Sequence, residues 1–171
     1  MSQSEGKAVV EPRSLRSTIL EVLGQMELSY EESEAGDISL LIHEDAGFWT
    51  VRIESEDVPE RRWVTVVSGA PIHVPEGRRA AVAEWTARTN FEHRFSSFGL
   101  DPRDGEVRCA AGLIVADAEF THDMFRNLLL VNVQTMNDHL QELMQVAFGV
   151  APASVGSAPE ADAEEDGALL Q

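Results

Sequence analysis

Glu119-Phe120-Thr121-His122 has the Glu-x-x-His spacing that carboxylate-bridged metal sites place on one helix face. Such a site needs a second unit of that kind and two more glutamates on a four-helix bundle. The chain around this one reads as strand-rich, so the unit predicts an ordinary helix start. The histidines, His43, His73, His93, His122 and His139, fall in five separate elements with no ligand spacing. Asp101-Pro102-Arg103-Asp104-Gly105 superficially resembles a calcium loop. Proline in second place and the lack of a downstream bidentate glutamate make it a hairpin turn instead. Cys109 would need a depressed pKa and a partner base to act as a nucleophile. Alternation with Val107 and Ala111 points to a small core residue. No GxGxxG, Walker loop, CxxC, HExxH or GxSxG occurs. The sequence therefore predicts no catalytic residue, no cofactor and no metal site. An enzyme with an unrecognised site remains one alternative.

The charge pattern is more informative. Between Glu21 and Glu60 there are twelve acids and one base, Arg52, a balance of -11. One reading is a solvated sheet edge that charge keeps from pairing. The other is a docking surface for a basic partner, with Glu31, Glu32 and Glu34 as candidate partner-binding residues. Over all 171 residues, 13 Lys and Arg against 30 Asp and Glu give a formal charge of -17. That field opposes phosphate, and the Arg61-Arg62 and Arg78-Arg79 pairs are not a basic stripe with interleaved aromatics. Direct nucleic-acid binding is not expected. Apolar runs at 110–116 and 128–131 fall far short of the ~20 residues of a membrane span. The segment Met1 to Lys7 has no apolar run behind a basic region, so no secretory signal is expected there. A single cysteine fits a reducing cytoplasm, and one lysine against twelve arginines fits a GC-rich bacterial genome.

The elements that position these residues follow from periodicity. Residues 1–12 are polar and end at Pro12, which predicts a flexible N-terminus. Ser14 caps a helix to about Met26, with Leu15, Ile19, Val22, Leu23 and Met26 on one stripe. From Leu28 to Ser68 the period becomes two. Strands are expected at Leu28–Glu31, at Ile38–His43, around Trp49–Glu54 and at Trp63–Val67. A charged loop is expected over Ser55–Arg61, and Gly69-Ala70-Pro71 should end the pattern. A helix then starts near Pro75 and runs to about Asn90. Phe95–Leu100 and Glu106–Leu113 form a hairpin about the 101–105 turn, with glycine at a left-handed position. Thr121 caps a final helix to about Phe148, ended by Gly149. Residues 150–171 carry five acids, no base and little apolar surface, and predict a disordered acidic tail. The fold class is α+β, an antiparallel sheet with helices on one face in the order α-β-β-β-β-α-β-β-α.

Several motifs fit that order. Asn90 closes the second helix, and Phe95-x-x-Phe98-Gly99-Leu100-Asp101-Pro102-x-Asp104-Gly105-x-Val107 spans the hairpin. Arg108 lies on the return strand, and Ala118-Glu119-Phe120-Thr121 enters the last helix. On these residues the chain, over about 13–149, resembles the YbjN-like family, whose fold is shared with class I type III secretion chaperones. The resemblance implies a non-enzymatic homodimer that binds another protein, in the secretion chaperones an extended segment wrapped around the surface. The expected function is thus a cytoplasmic, dimeric, chaperone-like adaptor for a partner with a basic or extended segment. An acidic partner or regulator of a basic nucleic-acid-binding protein is the other alternative.

Overall fold

The computed structural model describes residues 14–34 and 36–149. The flexible N-terminus expected over 1–12 and the acidic tail expected over 150–171 lie outside the described residues. Ser14 starts α1 (Leu15–Gln25) by accepting a hydrogen bond from the Ser17 N–H, and Leu15, Ile19, Val22 and Leu23 bury its apolar face. The strands are β1 (Glu31–Glu32), β2 (Ile38–Glu44), β3 (Gly47–Val58) and β4 (Arg61–His73). A 3-10 turn at Glu76–Arg78 leads into α2 (Arg79–Glu92), followed by β5 (Ser97–Leu100), β6 (Glu106–Ile114) and α3 (His122–Phe148). The six strands form one antiparallel sheet in the order β1-β2-β3-β4-β6-β5. This is the α+β order that the periodicity predicts.

Register explains why the helices lie on one face. Leu40, Val51, Ser68, Cys109 and Phe98 are successive cross-strand partners, all buried and all on one side of the pleat. The same core holds Val22 of α1, Trp85 of α2 and Phe125, Met136 and Leu143 of α3. On the other side, Leu41, Phe48 and Ile114 are exposed.

Three boundaries differ from expectation. Only Glu31 and Glu32 pair with β2, not the whole of Leu28–Glu31. The Leu28 N–H bonds the Leu23 carbonyl at 3.0 Å, so the chain stays tied to the end of α1. The charged stretch from Ser55 is strand, not loop: Val58 pairs with Arg61, leaving only Pro59 and Glu60 between β3 and β4. Its charges face opposite charges across the ladder, Arg61 to Glu56 at 3.0 Å and Arg62 to Asp57 at 2.7 Å. Finally, β4 continues through Gly69-Ala70-Pro71 to His73, because a register shift between Gly69 and His73 leaves Pro71 out of the ladder.

Asp57 ties this hairpin to α1. Its carboxylate accepts the Leu15 N–H at 2.7 Å, adding an anion where the helix dipole is positive. Partial burial pushes its pKa up, but the Arg62 hydrogen bond, the Leu15 N–H and the Arg62 charge outweigh that and hold it below the ordinary value. A carboxyl with a lowered folded pKa stabilises the fold above its unfolded pKa, near 4, and loses that contribution as pH falls through the folded value. Asp57→Asn should cost about 1 kcal/mol at pH 7, a modest figure because the side chain is 31% exposed. The gap from the parent should close below about pH 4 in urea titrations. A gap that persists unchanged at pH 3 would refute the assignment.

α3 is pinned to the sheet by a buried polar chain. Asn132 donates through Nδ2 to the Val66 and Cys109 carbonyls at 3.1 and 2.8 Å, and so bridges β4 and β6. Its Oδ1 accepts the Ser68 hydroxyl at 2.6 Å, and Ser68 in turn accepts the Trp49 indole N–H at 3.0 Å. Each of these polar groups is fully buried and bonded, which is what makes such a chain tolerable in a core.

Candidate functional site

At the β1 corner of the sheet the chain leaves the ladder early. Met26 caps α1, Glu27 takes a left-handed φ of 55°, and Glu27 and Leu28 bond back to α1 carbonyls. Ser29 and Tyr30 therefore stand away from β2. Among the described residues, Leu40–Glu44 of β2 have no strand on that side. The gap is a cavity of about 390 Å³, lined by Ser29, Tyr30, Glu31, Ser39, Leu41 and Thr50. It combines a row of free backbone donors and acceptors with an apolar floor.

The three acids singled out by sequence divide. Glu31 pairs with Ser39 on the open face and lines the cavity. Glu32, one residue on, points to the helix side and forms an ion pair with Arg16, which also donates to the Gly36 carbonyl at 2.9 Å. Glu34 is exposed in the turn between β1 and β2. Glu31 and Glu34 are thus presented outward, while Glu32 ties β1 to α1. Glu44 and Asp45, at the far end of β2, are also exposed. Tyr30 and Leu41 were not singled out by the sequence, though Leu41 breaks the Ile38, Leu40, Ile42 alternation by placing an apolar side chain on the polar phase.

The surrounding field is uneven. From Ser14 to Glu60 there are twelve acids and two bases, a balance of -10. From Arg61 to Gly149, eleven acids against nine arginines leave only -2. The acids nearest the open β2 edge are Glu31, Glu34, Glu44 and Asp45, whereas Glu56 and Asp57 are paired with Arg61 and Arg62 at the β3–β4 hairpin. The field there is negative, with Arg16 and Arg52 the two cations of the region.

The arginine pairs serve the fold. Arg62 donates to the Ala116 and Ala118 carbonyls at 3.1 and 3.2 Å besides Asp57. Arg78 donates to the Val146 carbonyl at 3.0 and 2.5 Å, capping the C-terminal end of α3. Arg79 holds the Val74 and Pro102 carbonyls at 3.2 and 3.0 Å. Arg61 is exposed, bonds Glu56 and, with Arg62, lines a groove along β4 and β6.

The remaining chemical candidates also have structural partners. His122 of the Glu-x-x-His unit turns to Glu21 of α1 at 2.7 Å, tying two helices. His93 and His139 meet through Nε2 atoms 2.8 Å apart, beside Trp85 and Phe98. Cys109 is buried between α3 and the sheet, and burial, slightly offset by a Ser96 hydrogen bond, pushes its thiol up to about 12. It should react with a thiol reagent at least a hundredfold slower in the native protein than in denaturant, because the reactive thiolate is both scarce and covered. Equal rates would refute its place in the core. Among the described residues, no helix is long and apolar enough to cross a membrane.

Comparison with known proteins places this fold. The sequence profile of the YbjN family, described as "Putative bacterial sensory transduction regulator", matches residues 16–144. A search of curated proteins finds no match. The crystal structure of YbjN from E. coli, described as "a putative transcription regulator", superposes with a TM-score of 0.59 at 12% identity, covering 78% of this chain and 92% of that one. The ExsC–ExsE complex gives a TM-score of 0.51 at 20% identity, covering 79% of this chain and 97% of the matched chain. At such identities these structures speak for the fold alone, and the ladder order and the profile agree with them. With the profile spanning most of its length, the chain belongs to the YbjN family.

Proposed function

We propose that this protein is a non-enzymatic, cytoplasmic, dimeric chaperone-like adaptor that holds a basic, extended segment of another protein along the β1–β2 corner. One observation carries the reading: the free β2 edge at Leu40–Glu44 and its apolar cavity lie inside the most acidic part of the chain. A segment adding there as a strand takes its affinity from backbone hydrogen bonds. Every second side chain enters the Tyr30–Leu41–Thr50 cavity, while flanking lysines or arginines meet Glu31 and Glu34. The ExsC–ExsE complex shows a protein of this fold assembling with another protein, which supports the class of function.

The test is capture from a bacterial lysate, mass spectrometry to identify the partner, and association rates for the purified pair. Association should slow about tenfold in the Glu31→Lys/Glu34→Lys variant, and also between low and physiological salt. Glu32 is left intact so that its Arg16 pair does not confound the result. Rates indifferent to both changes would sink the acidic-edge reading. The family's regulatory description favours a second version, in which the partner is a basic nucleic-acid-binding protein. Added duplex DNA would then compete with this protein for the partner while showing no saturable binding to this protein itself.

A further inference from the structure

We propose that the facing imidazoles of His93 and His139 form a proton-responsive latch, which holds the 93–96 connection against α3 and releases it when both rings carry charge. This device is separate from partner capture at the β2 edge.

The contact forms where α2 stops. Its last residue is Glu92, and His93 leaves the helix with extended backbone, φ -96° and ψ 143°. His139 lies within α3 and is half-buried. The two Nε2 atoms are 2.8 Å apart, with the ring planes at 86°. Trp85 of α2 and Phe98 of β5 meet the His139 ring edge to face, with centroids 6.2 and 5.8 Å away. Three residues further on, Ser96 donates to the Thr135 hydroxyl at 2.8 Å, whose own proton goes to the Val131 carbonyl at 2.7 Å. The connection from α2 to β5 thus has two ties to α3, and of these only the histidine tie can take up a proton. β5 itself is held separately. Asn90 of α2 accepts the Phe98 N–H at 2.7 Å and donates to the Phe98 carbonyl at 2.9 Å, so the connection can let go while the strand stays in place.

Proton counting makes the contact a switch. Between two nitrogens 2.8 Å apart there is room for one proton, so one ring donates and the other accepts. The surrounding charges decide which. On α3, Glu142 lies 3.7 Å from His139 Nδ1 and favours a proton there, which leaves His139 Nε2 as the acceptor and His93 Nε2–H as the donor. On α2, Arg88 reaches Glu142 at 3.9 Å and offsets part of its charge. Glu92 and Arg94, on either side of His93, are exposed and opposite in sign. Asp138 is exposed and accepts the Gln134 amide at 2.6 Å. β5 presents Phe98 and the connection presents Ser96, both uncharged. A first added proton binds the remaining bare nitrogen, His93 Nδ1, and leaves the contact whole. A second has only His139 Nε2 to bind, where it sets two N–H groups and two positive charges against each other. The latched pair therefore holds one added proton and the released pair two. By linkage the latch is stable above the ordinary imidazole range, near 6.5, and weakens about tenfold for each pH unit below it.

Release has a local consequence. Ser96 is buried and hydrogen-bonded with the Cys109 thiol, so it covers that sulfur. Phe95, its neighbour, forms one wall of an apolar groove of about 380 Å³ between β6 and α3. The shut latch keeps the thiol covered and that wall fixed; the open latch withdraws both supports.

The test labels Cys109 of the full chain with a pyridyl disulfide, which stays reactive in weak acid, at pH 7, 6 and 5. Protection is the ratio of the rate in denaturant to the native rate at the same pH. It should fall about tenfold between pH 6 and pH 5. In His93→Gln, whose amide hydrogen bonds but takes up no proton, protection should stay within twofold of its own value at pH 7. His43, His73 and His122 with its Glu21 partner are intact in that variant, so they cannot supply the difference. Imidazole nitrogen-15 shifts give a second readout with no substitution. At pH 8, His139 should carry its proton on Nδ1 and His93 on Nε2, and the pair should then take up protons in two separate steps. Parent protection that is flat from pH 7 to pH 5 would overturn the latch. So would an equal fall in His93→Gln, or two rings with the same tautomer that titrate independently.

Discussion

Asn132→Asp should remove cooperative folding at neutral pH, with a loss of more than about 4 kcal/mol. The substitution keeps size and shape and exchanges two N–H donors for a second oxygen. That oxygen would face the Val66 and Cys109 carbonyls, which lie 3.1 and 2.8 Å from Nδ2, inside a fully buried site. An ionised carboxylate there would be desolvated and set against two oxygens, with only the Ser68 hydroxyl to donate to it. A fold of typical stability, about 5–15 kcal/mol, barely survives such a change. Asn132→Leu should be milder, about 2–3 kcal/mol, since both carbonyls retain ladder hydrogen bonds and the main loss is the partner of Ser68. Urea unfolding followed by tryptophan fluorescence reads both, because Trp49 lies in the same chain of bonds. Stability of the Asp variant should partly recover toward pH 5, where a carboxyl buried like this takes up a proton. An Asp variant with the parental midpoint would show that Asn132 does not anchor α3.

Gly105→Ala should cost about 3 kcal/mol or more and loosen the β5–β6 hairpin. Two independent terms act at this position. Its φ is +85°, a conformation that costs a side-chain-bearing residue about 1 kcal/mol. A Cβ there would also lie 2.3 Å from the Val74 carbonyl oxygen and 2.9 Å from its nitrogen, backbone atoms that cannot rotate away. Val74 cannot withdraw cheaply, because its N–H donates to the Gly105 carbonyl at 2.8 Å. Gly99→Ala in the same hairpin is the control: a Cβ there meets nothing within 4 Å, and the change should stay within about 1 kcal/mol. Equal losses for the two variants would show that the close approach to Val74 is not what requires glycine.

Some of this protein was legible in its residues alone, wherever the information is local. Ser14 and Thr121 cap their helices as expected because a cap needs only a side-chain oxygen within three residues of free N–H groups. Gly105 takes its left-handed turn position because backbone sterics decide that residue by residue. Cys109 is buried because alternation with Val107 and Ala111 assigns its face before any partner strand is known. The family was legible for the same reason, since its hairpin motif is a continuous run. Composition misled where pairing overrides it. The charges over Ser55–Arg61 read as loop, yet Asp57 stands directly opposite Arg62 on the next strand and Glu56 reaches Arg61 diagonally. Only the tertiary structure decided which acids face outward, because Glu31 and Glu32 differ solely in which side of the sheet α1 covers. The same holds for Asn90 and Asn132, polar residues whose partners lie 8 to 66 positions away. The open β2 edge is also a tertiary fact: it exists where the short connection 28–30 is pulled off the ladder by α1, and no periodicity in that connection records the pull.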